Sequence, residues 1–190
     1  VTPYRSGFLP DPARPQHRIW WVLHRAGELL AILDAVGIAR VHAMKQAGIV
    51  VALGADGAPC NNNLDPWVEM RHAALLAKTL GPEAITQLPA REAFELATIE
   101  GAKALGIDGE TGSLEEGKRA DVVVVRMDGP HVEPGGDPWS RLVYACTSRD
   151  VEHVVANGKL VVSHGEHTRL DRESILAKAR VEAKKLAARA

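Results

Sequence analysis

The stretch Ile49-Val50-Val51-Ala52-Leu53-Gly54-Ala55-Asp56-Gly57, followed by Cys60-Asn61-Asn62-Asn63-Leu64-Asp65, decides how the rest of this chain is read. Residues Ile49 to Leu53 are apolar and rich in β-branched side chains, the pattern of a strand covered on both faces, as in a parallel sheet under helices. Gly54 and Gly57 bracket Asp56 and let the backbone turn sharply, which leaves one carboxylate at the C-terminal end of the strand. In α/β barrels that end is the rim that carries reactive groups. Taken alone, an Asp in such a turn reads first as a turn former or the N-cap of a following helix.

The flanking segments supply the helices such a strand needs. Residues 38–47 read as a helix with Val41, Met44 and Ala47 on one side, and Gly48 is placed to end it. Asp65 can cap a second helix whose first position is Pro66, with Trp67, Met70, Ala74 and Ala77 as its apolar stripe through Lys78. Gly81-Pro82 interrupts the pattern. Pro89 opens a third helix that runs to Gly106, with the small residues Ala93, Ala97, Gly101 and Ala104 on one side for close approach to the barrel wall. Trp67, Met70 and Phe94 are expected to be packing residues.

From Thr111 to Gly165 the punctuation becomes that of β-structure, with apolar runs at Val122 to Val125, Val151 to Val155 and Leu160 to Val162. Asn157-Gly158 between two of them is a hairpin signal, because a tight primed turn needs positive φ at both central residues. A last helix, Asp171 to about Ala188, carries Ile175, Ala179, Ala183 and Leu186 at helical spacing. With no aromatic anchor it is expected to pack on its own domain rather than on a membrane surface.

At 190 residues, 46% hydrophobic and 25% charged, the chain has the composition of a globular protein with a real core. A net charge of −1 provides neither a basic field for nucleic acid nor a polybasic surface for anionic lipid, so neither is expected as a partner. Cys60 and Cys146 lie far apart and form no Cys-x-x-Cys pair, which argues against a disulfide scaffold or a zinc knuckle. No apolar run approaches the about 18 residues of a membrane span, and the start of the chain lacks a secretory pattern. A cytoplasmic setting is the expectation.

The order Leu-Gly-x-Asp-Gly at Leu53 to Gly57, Asn-Asn-x-Leu-Asp at Asn61 to Asp65, Glu69-Met70-Arg71 and Ala73 to Lys78 resembles the metal-dependent amidohydrolase superfamily. The resemblance returns at Leu88-Pro89-Ala90, at Gly101-Ala102-Lys103-Ala104-Leu105-Gly106, at Gly112 to Val122, at Asp137-Pro138-Trp139-Ser140-Arg141-Leu142-Val143-Tyr144 and at Val154-Val155-Ala156-Asn157-Gly158-Lys159. The nearest branch holds 5-methylthioadenosine/S-adenosylhomocysteine deaminases, with guanine-type deaminases and s-triazine chlorohydrolases as relatives. The resemblance implies an α/β fold: the C-terminal portion of a TIM-type (β/α)8 hydrolase barrel plus part of a flanking β-sandwich, the composite domain. The domains it suggests are an unmatched segment at 1–36, barrel at 37–110, composite domain at 111–168 and a C-terminal helix at 169–190.

The resemblance further implies hydrolysis of a non-peptide C–N bond, the deamination of an aminopurine, with chlorohydrolysis of an s-triazine as the alternative. It makes Asp56 the catalytic carboxylate, a ligand of a divalent metal, zinc or else iron, and a contact to the small-molecule substrate. A homo-oligomer is compatible with it. The family's other ligands, a His-x-His pair and single histidines on the fifth and sixth strands, have no match in this sequence. None of His17, His24, His42, His72, His131, His153, His164 and His167 is assigned to the metal, although His164 and His167 are close enough in sequence to meet. A non-catalytic remnant therefore stands as the other function class. Residues 1–36 are open to two readings, a divergent helix around Trp20 and Trp21 or residues translated out of frame.

Overall fold

The computed structural model describes residues 38–55 and 62–189. Their contacts divide into two units, one within 1–118 and 127–148, the other within 119–126 and 149–190. The mixture of helix and strand is that of the expected α/β class. No helix among the described residues is long and apolar enough to cross a membrane.

The first unit is helical. Helix α1 (Val41–Gln46) stops where Gly48 takes φ 76° and the Ile49 amide returns to the Met44 carbonyl at 3.0 Å. Helix α2 (Pro66–Ala77) starts at Asp65, whose Oδ1 accepts the Trp67 amide at 2.9 Å, with Pro66 at the first helical position, where a missing N–H costs nothing. A 3₁₀ turn (Pro82–Thr86) leads to helices α3 (Ala90–Ala97) and α4 (Ile99–Leu105). Later in the chain a helical turn at Pro138–Ser140 widens into Arg141–Ala145.

Val51, Ala74, Ala93, Leu96 and Val143 have almost no exposed surface and form the centre of the core with Val41, Met70, Ala77, Leu88 and Ala90. Alanines at the contact between α2 and α3 let their backbones come close. Trp67, Phe94 and Trp139 pack against this core, the last two with ring centroids 5.2 Å apart and planes tilted by 52°. Met70, Trp67 and Phe94 thus take the packing roles expected of them.

The single helix expected from Pro89 to Gly106 is two helices. At Thr98 the backbone leaves helical values (φ −126°, ψ −98°), and the Thr98 hydroxyl donates to the Phe94 carbonyl at 2.9 Å. A hydroxyl competing for the carbonyl of the preceding turn loosens the helical ladder. The break also moves the buried face: Ala90, Ala93 and Leu96 face the core, then Ala102, while Ala97, Gly101 and Ala104 stay partly exposed.

The second unit is an antiparallel sheet in chain order, β1 (Val122–Val125), β2 (Val151–Ala156), β3 (Lys159–Ser163) and β4 (Glu166–His167). Asn157-Gly158 joins β2 to β3 with φ 48° and 74°, the primed turn read from the sequence. The two residues between β3 and β4, His164 and Gly165, take the same kind of conformation, φ 50° and 76°. The ladder is not regular: Val124 faces His153 but Val125 faces Val151, so Glu152 is an extra residue on β2. Helix α5 (Arg172–Ala187) is capped by Asp171, whose Oδ1 accepts the Ser174 amide at 3.0 Å. Contrary to expectation it buries no residue: Ile175 and Leu186 share one side, Leu176 and Val181 point to others, and all four are exposed.

Candidate active-site strand end

The segment after α1 is extended, with bridge pairing at Val51 rather than a continuous ladder among the described residues. Val51 is 1% exposed, as a strand covered on both faces should be. Further along, the Leu53 amide donates to the Leu96 carbonyl at 3.0 Å. In an unbroken helix that carbonyl would accept the amide four residues on; the break at Thr98 frees it for the strand. The discontinuity that sequence reading missed is therefore what ties down the approach to the candidate carboxylate.

Beyond Leu53 the chain passes through exposed Gly54 and partly buried Ala55. Asp56, the residue expected to serve as catalytic group, metal ligand and substrate contact, lies with Gly57 to Asn61 outside the described residues.

Where the described residues resume, the chain is fixed by a polar knot. Asn63 Oδ1 accepts the Asp65 amide at 2.8 Å, and Asp65 Oδ2 accepts the Ser148 hydroxyl at 2.6 Å while its Oδ1 caps α2. Two turns into α2, Arg71 donates to the carbonyls of Cys146 at 2.7 Å and Val143 at 3.4 Å. These side chains hold the backbone at the start of α2, and the Asx turn at Asn63 is a structural one. The buried indole N–H of Trp67 has no hydrogen-bond partner among the described residues.

Perturbed ionisable groups lie elsewhere. The Ser140 hydroxyl and amide hold the Asp137 carboxyl below the usual carboxylate range, and the Ser113 hydroxyl with Lys118 does the same for Glu115. Glu100 raises Lys103 by accepting its ammonium hydrogen bond. All three are cap or surface-pair arrangements. A hollow of about 360 Å³ is lined by Arg40, His42, Gln46, Glu83 and Gln87 among others, and none of residues 49–55 borders it.

His42 and His72 lie on helices, as expected. His164 does not pair with His167, whose Nδ1 instead accepts the Arg169 amide at 3.2 Å. It meets His153, with ring centroids 4.8 Å apart. No described histidine belongs to the 49–55 segment. A tightly held zinc ion takes three or four protein ligands, so the one carboxylate read at this strand end does not fit the metal by itself.

The profile of the amidohydrolase family matches residues 31–161. The 5-methylthioadenosine/S-adenosylhomocysteine deaminase of Moorella thermoacetica is 48% identical over 143 residues, 75% of this chain and 33% of the relative. A 5'-deoxyadenosine deaminase of Methanosarcina acetivorans is 45% identical over 158 residues, 82% of this chain and 35% of the relative. Among solved structures, an adenosine deaminase from Xanthomonas campestris with bound zinc superposes with TM-score 0.80 at 33% identity, covering 88% of this chain and 38% of that one. The atrazine chlorohydrolase of Arthrobacter aurescens, complexed with zinc, gives TM-score 0.72 at 30% identity, covering 86% of this chain and 35% of that one. The chain spans about a third of the length of the curated relatives it matches. With 131 of its residues, 31 through 161, inside the family profile, the chain belongs to the amidohydrolase family.

Proposed function

We propose that this chain is the portion of a metal-dependent aminohydrolase that carries the end of the last barrel strand and part of the composite domain, with barrel sequence at 37–110, composite-domain sequence at 111–168 and a closing helix at 169–190. The reaction is hydrolytic deamination of an adenosine-type nucleoside. Water adds to the ring carbon that bears the amino group, the C–N bond breaks, ammonia leaves, and the carbonyl product remains. Asp56 is the carboxylate that accepts the proton of the attacking water and contacts the substrate. In the complete site a divalent metal, zinc or else iron, would be held with Asp56 as one of its ligands and would supply the acidity of that water. The reaction is placed in the cytoplasm.

One observation carries this reading: relatives 42–48% identical over most of this chain are all named for deamination of an adenosine-type compound. The local structure supports it, since a buried extended segment anchored through Leu53 delivers the chain to Asp56. The chlorohydrolase reading rests on solved structures at 30% identity.

The test measures bound metal and ammonia release from methylthioadenosine, S-adenosylhomocysteine, 5'-deoxyadenosine and adenosine. It uses this chain and a version extended upstream to the length of the relatives. Turnover is expected in the extended, metal-bearing protein and is expected to fall by at least about a thousandfold in Asp56→Ala, the scale on which removal of an essential charge-stabilising group is felt. Chloride release from an s-triazine without ammonia release would move the assignment to the alternative. A metal-free, inactive extended protein would leave a non-catalytic remnant.

A further inference from the structure

We propose that Glu152, His153 and His164 form a binding site for a divalent transition metal on the sheet of the second unit. The argument begins with the ladder. Neighbouring residues of a regular strand point to opposite faces, so Glu152 and His153 should not share a ligand. Because Val124 pairs with His153 and Val125 with Val151, Glu152 is the extra residue of a bulge, and a bulge re-aims side chains so that two consecutive ones reach one place.

The third group arrives from the turn. Register pairs His153 with Ser163, which sets His164 beside them, and the Gly165 amide donates to the Glu152 carbonyl at 3.0 Å. His164 holds φ 50°, a conformation that side chains with a Cβ rarely adopt and that glycine takes without strain. The outcome is that one potential ligand atom from each residue falls within 4.8 Å of the others. His164 Nδ1 lies 3.5 Å from Glu152 Oε1, close to the edge of about 3.4 Å that bonds of about 2.1 Å make in a tetrahedral site. His153 Nδ1 accepts the His164 amide at 3.4 Å, a long hydrogen bond that a metal can displace.

The neighbours select the ion. Arg126, Arg149 and Asp150 line the same hollow of about 150 Å³ as Glu152 and His164. Two guanidiniums against the carboxylates leave no net electrostatic pull for a hard cation. Magnesium and calcium, which need several oxygen ligands, are disfavoured; zinc, nickel and copper bond well to imidazole. His164 is largely exposed, so water completes the coordination. The bound ion cross-links β2 to the β3–β4 turn.

The test is calorimetric titration of the full chain with zinc chloride, with magnesium chloride as the contrast, together with NMR of the histidine ring protons. One zinc equivalent is expected in the wild type and in Asp56→Ala, with the rings of His153 and His164 shifting together. His164→Gly removes a ligand while relieving the positive φ, so it keeps the fold. It is expected to weaken zinc binding at least about tenfold, the loss seen for disturbed metal sites, and His153→Gln likewise. Zinc binding unchanged in His164→Gly would overturn the proposal. So would no zinc binding by the wild type, shifts confined to other histidines, or magnesium binding as well as zinc.

Discussion

In the first unit Val51, Ala74, Ala93, Leu96 and Val143 are almost wholly removed from solvent, whereas among the described residues of the second only Asp150 falls below a tenth exposed. The first unit is organised by side-chain volume around alanine contacts. The second is organised by backbone pairing across three antiparallel ladders and by residues that accept positive φ. A volume change should therefore be the costly substitution in one, and a turn change in the other.

Leu96→Ala is the strongest challenge to this contrast. It empties space at the centre of the first core and is expected to cost about 2–5 kcal/mol, read from the urea midpoint and from amide exchange in α2 and α3. A cost below that of any turn substitution would break the comparison. Arg71→Met comes next, because it strips two backbone carbonyls of a charged donor; about 1.5–3 kcal/mol is expected by the same measurement. For the second unit, Gly158→Ala forces a Cβ onto φ 74°, at about 1 kcal/mol, seen as faster exchange of amides in β2 and β3. A value above that for Leu96→Ala would invert the contrast.

The smallest effect concerns pH. Asp137 is held below its ordinary range when folded, so its contribution is present above its unfolded pKa and is lost as pH falls through the lower folded value. Asp137→Asn should flatten the acid limb of stability in the first unit slightly, since the group is exposed and screened. Urea midpoints at neutral pH and at pH values below 3.8 in the two proteins check this, and an unchanged acid limb would show the Ser140 contacts to be energetically silent.

Much of this organisation is legible in the sequence where one local rule decides. Asp65-Pro66 marks a helix start, and Asn157-Gly158 marks a turn, because each requires particular backbone chemistry at particular positions. The break at Thr98 escapes such reading, since Thr is tolerated in helices and its competing hydroxyl bond shows only in three dimensions. The bulge at Glu152 escapes for another reason. Alternation along one strand cannot reveal that the partner strand is one residue short, and so the meeting of His153 with His164 rather than His164 with His167 was not readable. For the candidate strand end, the approach through Val51 and Leu53 was legible as an apolar run, while Asp56 rests on the ordered motifs of the sequence.

The bond from Ser148 to Asp65 spans 83 residues. Closing a loop of that size costs chain entropy of about 4 kcal/mol beyond a constant, so contacts of this kind form late. The first unit also takes up residues 127–148 after the chain has already produced β1 for the second. During synthesis, then, the cap on α2 exists in two grades: its backbone contacts are available as soon as Trp67 is made, but its hydroxyl latch waits until Ser148 has emerged. A nascent chain paused between those points carries a helix start that is set but not locked. The order of manufacture thereby defers the final locking of that helix start until the strand-forming residues 122–125 are already outside.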